Sequence, residues 1–569
     1  MKRISPGLFV VLAAAAAVHL AVALQDFGTL ARNGFLYDDS FYAFQIARNI
    51  AHGLGATFDG IHATNGFQPL YVAALVPLYW IAGDNPTLPI HLALVLSALL
   101  TVATAFLLHR IVARRASETA ALIVAGAWAF SPIVIRQAAN GLETALALFC
   151  LALSVDYYLA RVRPFAAPSR RAFVTLGALL GMATLARVDL GFLALAMCLD
   201  HLLVVRARLR VGDAPVRWRG NVVAAVVACA LVWAPWAIYG LVSVGSPISE
   251  SGRATRYLAI AYAPFFGLAS PAGLDDGPDA AFMARHLQRS LKSLKVTPAV
   301  HPLLRGTRKL SERVGVGEPV TNALGAIVLS CFFVWWWQRR RGPRAAREFD
   351  FLLLFSVMMI AAYSTYVFGV FFFLRYYYPL YFVGMIFAGL AIDDAAAWVR
   401  ARSIGVRRAA LVASGVYAAA LLYMGYTSAF RTIRVYGFYD AARWVTTHTD
   451  PSETIGVFQG GAIGYLSQRR VVNLDGKVNT DAYQALRAGR LGEYVHEAHI
   501  DLVLDSERVL DLFLGPWSKE DRERIAHDTV FVGAEHGVHG WIGYRVTPAR
   551  GFNAGSSSTP GPTRMQPGR

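Results

Sequence analysis

Apolar residues fall in blocks of about 20 along most of this chain, the length a helix needs to cross a hydrocarbon core. The blocks lie near residues 8–25, 88–108, 118–136, 141–160, 172–187, 190–205, 220–242, 319–337, 349–371, 376–396 and 409–428. A shorter run, 69–83, stops at the polar Gly83-Asp84-Asn85-Pro86 turn and predicts a helix lying in the interface or dipping into the bilayer. After residue 428 the pattern changes. Charged residues return, and runs at 454–458, 470–474, 501–505, 529–533 and 541–546 predict strands, with a helix at 439–448. The predicted fold class is a polytopic α-helical membrane protein of about eleven spans with a small C-terminal α/β domain.

Composition agrees with the pattern. The 569 residues are 56% hydrophobic and only 16% charged, whereas a soluble domain is nearer half apolar and a quarter charged. That excludes disorder for most of the chain, and a single soluble enzyme domain as well.

The net charge of +17 would ordinarily suggest nucleic acid or anionic lipid as a partner. Its distribution points elsewhere. Six short loops, 1–7, 109–117, 161–171, 206–219, 338–348 and 399–408, carry 23 of the 54 basic residues but only Asp213 and Glu348 of the 37 acidic ones. Basic loops stay on the cytoplasmic side, so the excess is topological and no nucleic-acid partner is expected. With all six loops inside, the N-terminus is cytoplasmic, and 26–68, 243–318 and everything after 428 lie outside. This predicts a transmembrane module at 1–428, an external domain at 429–550 and a disordered tail at 551–569. An alternative for the first span is a cleaved signal peptide, since Lys2-Arg3 precede an Ala-rich run; later segments keep their sides either way. Cys150, Cys198, Cys229 and Cys331 lie in apolar runs without CxxC spacing, which argues against a disulfide framework or a thiolate metal site.

The external loop 26–68 is the richest in chemistry. Asp38 and Asp39 open a stretch of helical character, Ser40-Phe41-Tyr42-Ala43-Phe44, where carboxylates suit a helix N-terminus. Adjacent side chains on a helix face different ways, so one can cap while the other points into a cleft. The segment that follows, Gly53 to Leu70, is punctuated by glycine and carries Asp59, His62, Thr64, Asn65 and Gln68. These are groups that hydrogen-bond sugars, or the residues of an ordinary polar turn. Gln459-Gly460-Gly461 lacks the full dinucleotide spacing and reads as a strand-to-helix turn.

An acidic pair after the first span, an aromatic helix, and Thr64-Asn65-Gly66-Phe67-Gln68-Pro69-Leu70 together resemble the GT-C superfamily, polytopic glycosyltransferases that use polyprenyl-phosphate sugars. Further segments share the likeness: Asn140-Gly141-Leu142-Glu143-Thr144, Leu185-Ala186-Arg187-Val188-Asp189, Pro235-Trp236-Ala237-Ile238-Tyr239, Arg375-Tyr376-Tyr377-Tyr378-Pro379 and Asn473-Leu474-Asp475-Gly476. The layout is similar to bacterial arabinofuranosyltransferases and mannosyltransferase-like members. The resemblance implies a multi-pass protein of the bacterial inner membrane that moves a sugar from a polyprenyl-phosphate donor to an envelope glycan, lipid or protein acceptor outside, with inversion. It implies Asp38 as base, with Asp39 in reserve. External arginines run against the charge bias, so Arg375, Arg187, Arg253 and Arg256 are the candidate donor-phosphate ligands. His62, Asn65, Gln68, Glu143 and Tyr378 are candidates for sugar or acceptor binding. No cofactor is expected, and no metal motif stands out; a divalent cation stays open. Alternatives of other classes are a flippase for a lipid-linked glycan and a non-catalytic envelope scaffold.

Overall fold

A computed structural model describes residues 5–163, 169–210, 218–261, 318–342, 347–364, 373–430, 437–514, 529–532 and 541–546. Most of loop 243–318, part of the predicted span 349–371 and the tail 551–569 lie outside the described residues.

Among the described residues, seven helices are long and apolar enough to cross a membrane: Pro6–Ala23, Leu88–Val112, Thr144–Val162, Val188–Arg210, Trp218–Val244, Tyr378–Arg400 and Ile404–Phe430. Glu118–Ala129 and Pro132–Ala138 make an eighth if taken as one span bent by 55°. Pro132 explains the break, because its ring removes an N–H and clashes with the preceding turn. The eleven predicted spans are therefore not all reproduced among the described residues. The predicted 172–187 is a 17-residue helix, Arg170–Ala186, and 319–337 is part of Glu318–Arg341, whose last turn is Arg339-Arg340-Arg341. The run 69–83 is a 14-residue helix, Pro69–Ala82.

Side-chain burial separates inner helices from peripheral ones. Trp128 is fully buried, with Tyr378 and Tyr381 both stacked against it at 5.7 Å. Trp218–Val244 and Ile404–Phe430 instead expose Leu231, Val242, Leu411 and Tyr423. Apolar side chains on the outside of a bundle suit hydrocarbon rather than water.

The C-terminal part folds around a five-stranded sheet of order β2-β1-β3-β5-β4, with β1 Thr454–Val457, β2 Arg470–Asn473, β3 Leu502–Ser506, β4 Thr529–Val532 and β5 Trp541–Arg545. β1 pairs parallel to β2 and β3, while β5 runs antiparallel between β3 and β4. Every residue of β1 is buried, as a central parallel strand covered on both faces requires. The sheet is not a free appendage. One hydrophobic cluster joins Phe41, Phe44 and Ile46 of the loop helix to Ile463, Tyr465, Val457 and Leu504 around the sheet.

Candidate active site

The acidic pair sits in the first turn of the helix Asp38–Ala51, whose preceding residue, Tyr37, provides no side-chain cap. Unpaired amides at that end make it a favourable place for negative charge. Ser40 secures the turn by donating its hydroxyl to the Tyr37 carbonyl at 2.7 Å. Phe41, Tyr42 and Phe44 bury the side of the helix that meets the sheet.

The two carboxylates part company. Asp38 turns to the sheet, where it accepts hydrogen bonds from the backbone N–H of Ala462 at 2.8 Å and of Gly461 at 3.4 Å. These amides open the short helix Gly461–Leu466 that follows β1. A Cβ at position 461 would lie 2.2 Å from the Asp38 carbonyl oxygen, so glycine is what permits the approach. Asp39 turns the other way, to Arg375, whose Nη1 stands 2.5 Å from its carboxylate. Their acidities separate accordingly. Burial pushes Asp38 up to about 7; neighbouring Asp39 adds to this, and the Ala462 N–H and Lys477 offset it in part. Burial also pushes Asp39 up, but Arg375 and Lys477 outweigh it and hold the group below the usual carboxylate range. Two neighbouring acids with pKa values pushed apart suit different tasks.

Arg375 is itself held in place. It lies on the short helix Phe373–Tyr376, and its carbonyl accepts a hydrogen bond from Arg187 Nη1 at 3.1 Å. Arg187 is buried and pairs with Asp189 at 2.5 Å, while Tyr363 donates to the same Asp189 carboxylate at 2.6 Å. The Arg187 charge is thus matched locally, and its spare donor anchors the Arg375 backbone. Glu143, buried at the start of Thr144–Tyr157, exerts its charge on both arginines. The turn before it meets the acidic helix: the Asn140 carbonyl accepts from the Tyr37 N–H at 3.4 Å.

The remaining predicted residues lie elsewhere. Asn65 clamps the 246–250 turn: its amide donates to the carbonyls of Ser246 at 2.9 Å and Ile248 at 3.3 Å, and its oxygen accepts from the Glu250 N–H at 2.8 Å. His62 lies between Asp59 at 2.5 Å and Asp481 at 3.5 Å. Its pKa is raised, chiefly by the hydrogen bond to Asp59. Arg253 lies over the Tyr483 ring at 5.4 Å, and Arg256 is exposed. Gln68 is half-buried and precedes Pro69–Ala82 without capping it. Tyr378 faces the core against Trp128. The structure therefore gathers Asp38, Asp39, Arg375, Arg187 and Glu143 into one electrostatic cluster. His62, Asn65 and Arg253 surround a second polar patch centred on Glu250.

Sequence reasoning passed over three residues. Lys477 approaches the acidic pair from the turn after β2. Tyr42, one helical turn beyond Asp38, accepts from the Gly460 N–H at 3.0 Å and from Asn473 Nδ2 at 3.2 Å. Glu250 is fully buried and accepts from Thr64 at 2.9 Å and from Thr480. The i, i+4 spacing of Asp38 and Tyr42 was a usable signal; nothing local marked Glu250 or Lys477. Among the described residues no three His, Cys, Asp or Glu groups are arranged to hold a metal ion.

Comparison with known proteins adds family information. Residues 78–238 match the family described as dolichyl-phosphate-mannose-protein mannosyltransferase, and residues 426–547 match a domain of unknown function, DUF8728. No curated protein matches the chain significantly. Among solved structures, ArnT from Cupriavidus metallidurans bound to undecaprenyl phosphate is similar with a TM-score of 0.55 and 15% identity, over 96% of this chain and 100% of that one. The archaeal oligosaccharyltransferase AglB from Archaeoglobus fulgidus, in complex with an inhibitory peptide and a dolichol-phosphate, gives 0.54 and 15%, over 95% and 74%.

Proposed function

We propose that this chain, a membrane enzyme of the GT-C glycosyltransferase type, transfers a sugar from a polyprenyl-phosphate donor to a hydroxyl-bearing envelope glycan, lipid or protein. The observation that carries the reading is the acidic pair with one member held by backbone amides and the other locked to Arg375. The acceptor oxygen attacks the anomeric carbon as the bond from that carbon to the phosphate oxygen breaks, and its electron pair stays on the polyprenyl phosphate. The acceptor proton passes to Asp38, whose pKa of about 7 lies near the optimum for a general base. Attack opposite the leaving group inverts the anomeric centre. Arg375 meets the second negative charge that develops on the departing phosphate, where a preorganised cation is most effective. Asp39 aims Arg375 until the donor arrives.

The basic loops support a cytoplasmic N-terminus and an external sheet in a bacterial inner membrane. The bound lipids of the two structural neighbours, undecaprenyl phosphate and dolichol-phosphate, support the donor class. The test is transfer by the purified full-length protein from a panel of polyprenyl-phosphate sugars, read by mass spectrometry. Asp38→Asn is expected to lose about 10²–10⁴-fold in rate with normal membrane insertion. Full activity in both Asp38→Asn and Asp39→Asn overturns the proposal, and movement of lipid-linked sugar without a new glycosidic bond replaces it with a flippase.

A further inference from the structure

We infer that Lys477, delivered by the turn after β2, is a second ligand for the donor's phosphate beside Arg375; the inference rests on the function proposed above.

The position of this lysine is built rather than incidental. Asp475 holds it twice, accepting the Lys477 N–H at 3.0 Å and pairing with Nζ at 2.7 Å. Gly476 between them has φ +76°, a conformation that sends the chain back on itself. The Lys477 carbonyl then seats against the external loop so closely that a Cβ on Gly66 would stand 2.0 Å from it. The strand that feeds the turn is tied to the acidic helix by the Asn473–Tyr42 hydrogen bond at 3.2 Å. The backbone at Lys477 therefore cannot shift without moving the loop, the sheet or the acidic helix, and Asp475 aims the ammonium.

Exposure separates Lys477 from a lysine that merely neutralises a buried acid. Asp475 is closed off at 3% side-chain exposure, as are Arg187 and Asp189 at 5% and 8%. Lys477 keeps 28%, Arg375 23% and Asp39 38%. The open cations of the cluster are thus Lys477 and Arg375, beside the partly exposed Asp38 and Asp39. An ammonium has three donors, and Asp475 engages one. In the reaction proposed above the donor phosphodiester carries one negative charge and the departing polyprenyl phosphate gains another. A planar guanidinium clamps the phosphate oxygens, and a compact ammonium adds a point charge. Each effect grows as the bond breaks.

Amine footprinting of the wild-type full-length protein tests the assignment without a variant. The sequence has six lysines, at 2, 292, 295, 309, 477 and 519. Saturating undecaprenyl phosphate is expected to slow acylation of Lys477 at least fivefold and to leave Lys2 unchanged. Direct binding of undecaprenyl phosphate complements it: Lys477→Gln is expected to weaken affinity about 10–100-fold and Lys477→Arg less than Lys477→Gln. Unprotected Lys477 together with Lys477→Gln binding within twofold of wild type overturns the inference. In that event, loss of binding in Arg375→Gln leaves the proposed function standing, whereas no binding by the wild type removes the function itself. Should Lys477→Gln fail to fold, the footprint alone decides.

Discussion

Two adjacent aspartates in one helical turn have opposite surroundings, and the difference comes from what each meets. Asp38 meets backbone amides and a desolvated wall; Asp39 meets a guanidinium. Transfer at saturating acceptor is accordingly expected to rise with pH and level off above about 7, because the base must be ionised and burial has raised its pKa to about 7. Below that point the rate should fall about tenfold per pH unit. A rate flat from pH 5 to 8 would exclude Asp38 as base. Arg375→Lys keeps the charge but loses the fork that reaches both Asp39 and a phosphate; transfer is expected to drop about 10-fold or more, with protein yield unchanged.

At the scale of elements, the site depends on how the loop 37–67 locks to the sheet, and two contacts test that lock. Gly461→Ala places a methyl 2.2 Å from the Asp38 carbonyl oxygen, so the helix Gly461–Leu466 must move. Overpacking of this kind costs about 1–3 kcal/mol, and limited proteolysis is expected to release the C-terminal sheet faster than in wild type. Glu250 is the second contact, bridging Thr64 and Thr480. Burial raises its pKa to about 7, opposed by the Thr64 hydrogen bond and Arg253. The folded protein thus holds this proton more tightly than the unfolded chain, whose ordinary value is 4.5. Its contribution to stability is full below the unfolded value and is lost as pH rises through about 7. Glu250→Gln stays neutral, so its melting temperature is expected to fall less than wild type between pH 4.5 and 7; equal slopes would contradict this.

These elements also show what the sequence made legible. Strands at 454–457, 470–473 and 502–506 and the helix Phe438–His448 lie where short apolar runs and amphipathicity predict them, because such runs between turn residues suit strands buried on both faces. Arg375 was singled out by charge running against the loop bias, and Asp38 and Asp39 by their place at a helix start and by the family resemblance. Lys477 was not, since a lysine in an Asp-Gly turn looks solvent-exposed until the fold brings that turn onto residue 66, more than 400 positions away. Asn65 and Arg187 carry the expected polarity, but their hydrogen bonds go to backbone and to Asp189. Such partners depend on tertiary contacts that no local spacing encodes.

For the whole molecule, the proposed topology follows from the charge of the loops: basic loops on the cytoplasmic side would place the acidic loop and the sheet packed against it outside. A cysteine placed at exposed Glu493 is expected to react with a membrane-impermeant thiol reagent in intact cells, and one at exposed Arg407 only after permeabilisation. The reverse pattern would invert the topology. The central claim is that chemistry occurs where Asp38, Asp39 and Arg375 converge. A density map of the full-length protein with undecaprenyl phosphate tests it most directly. The account predicts phosphate bound by Arg375, with the Asp39 pair opened and Asp38 within reach of the vacated anomeric position. Phosphate seated instead at Arg253 and Arg256, with the Asp39–Arg375 pair intact, would contradict it.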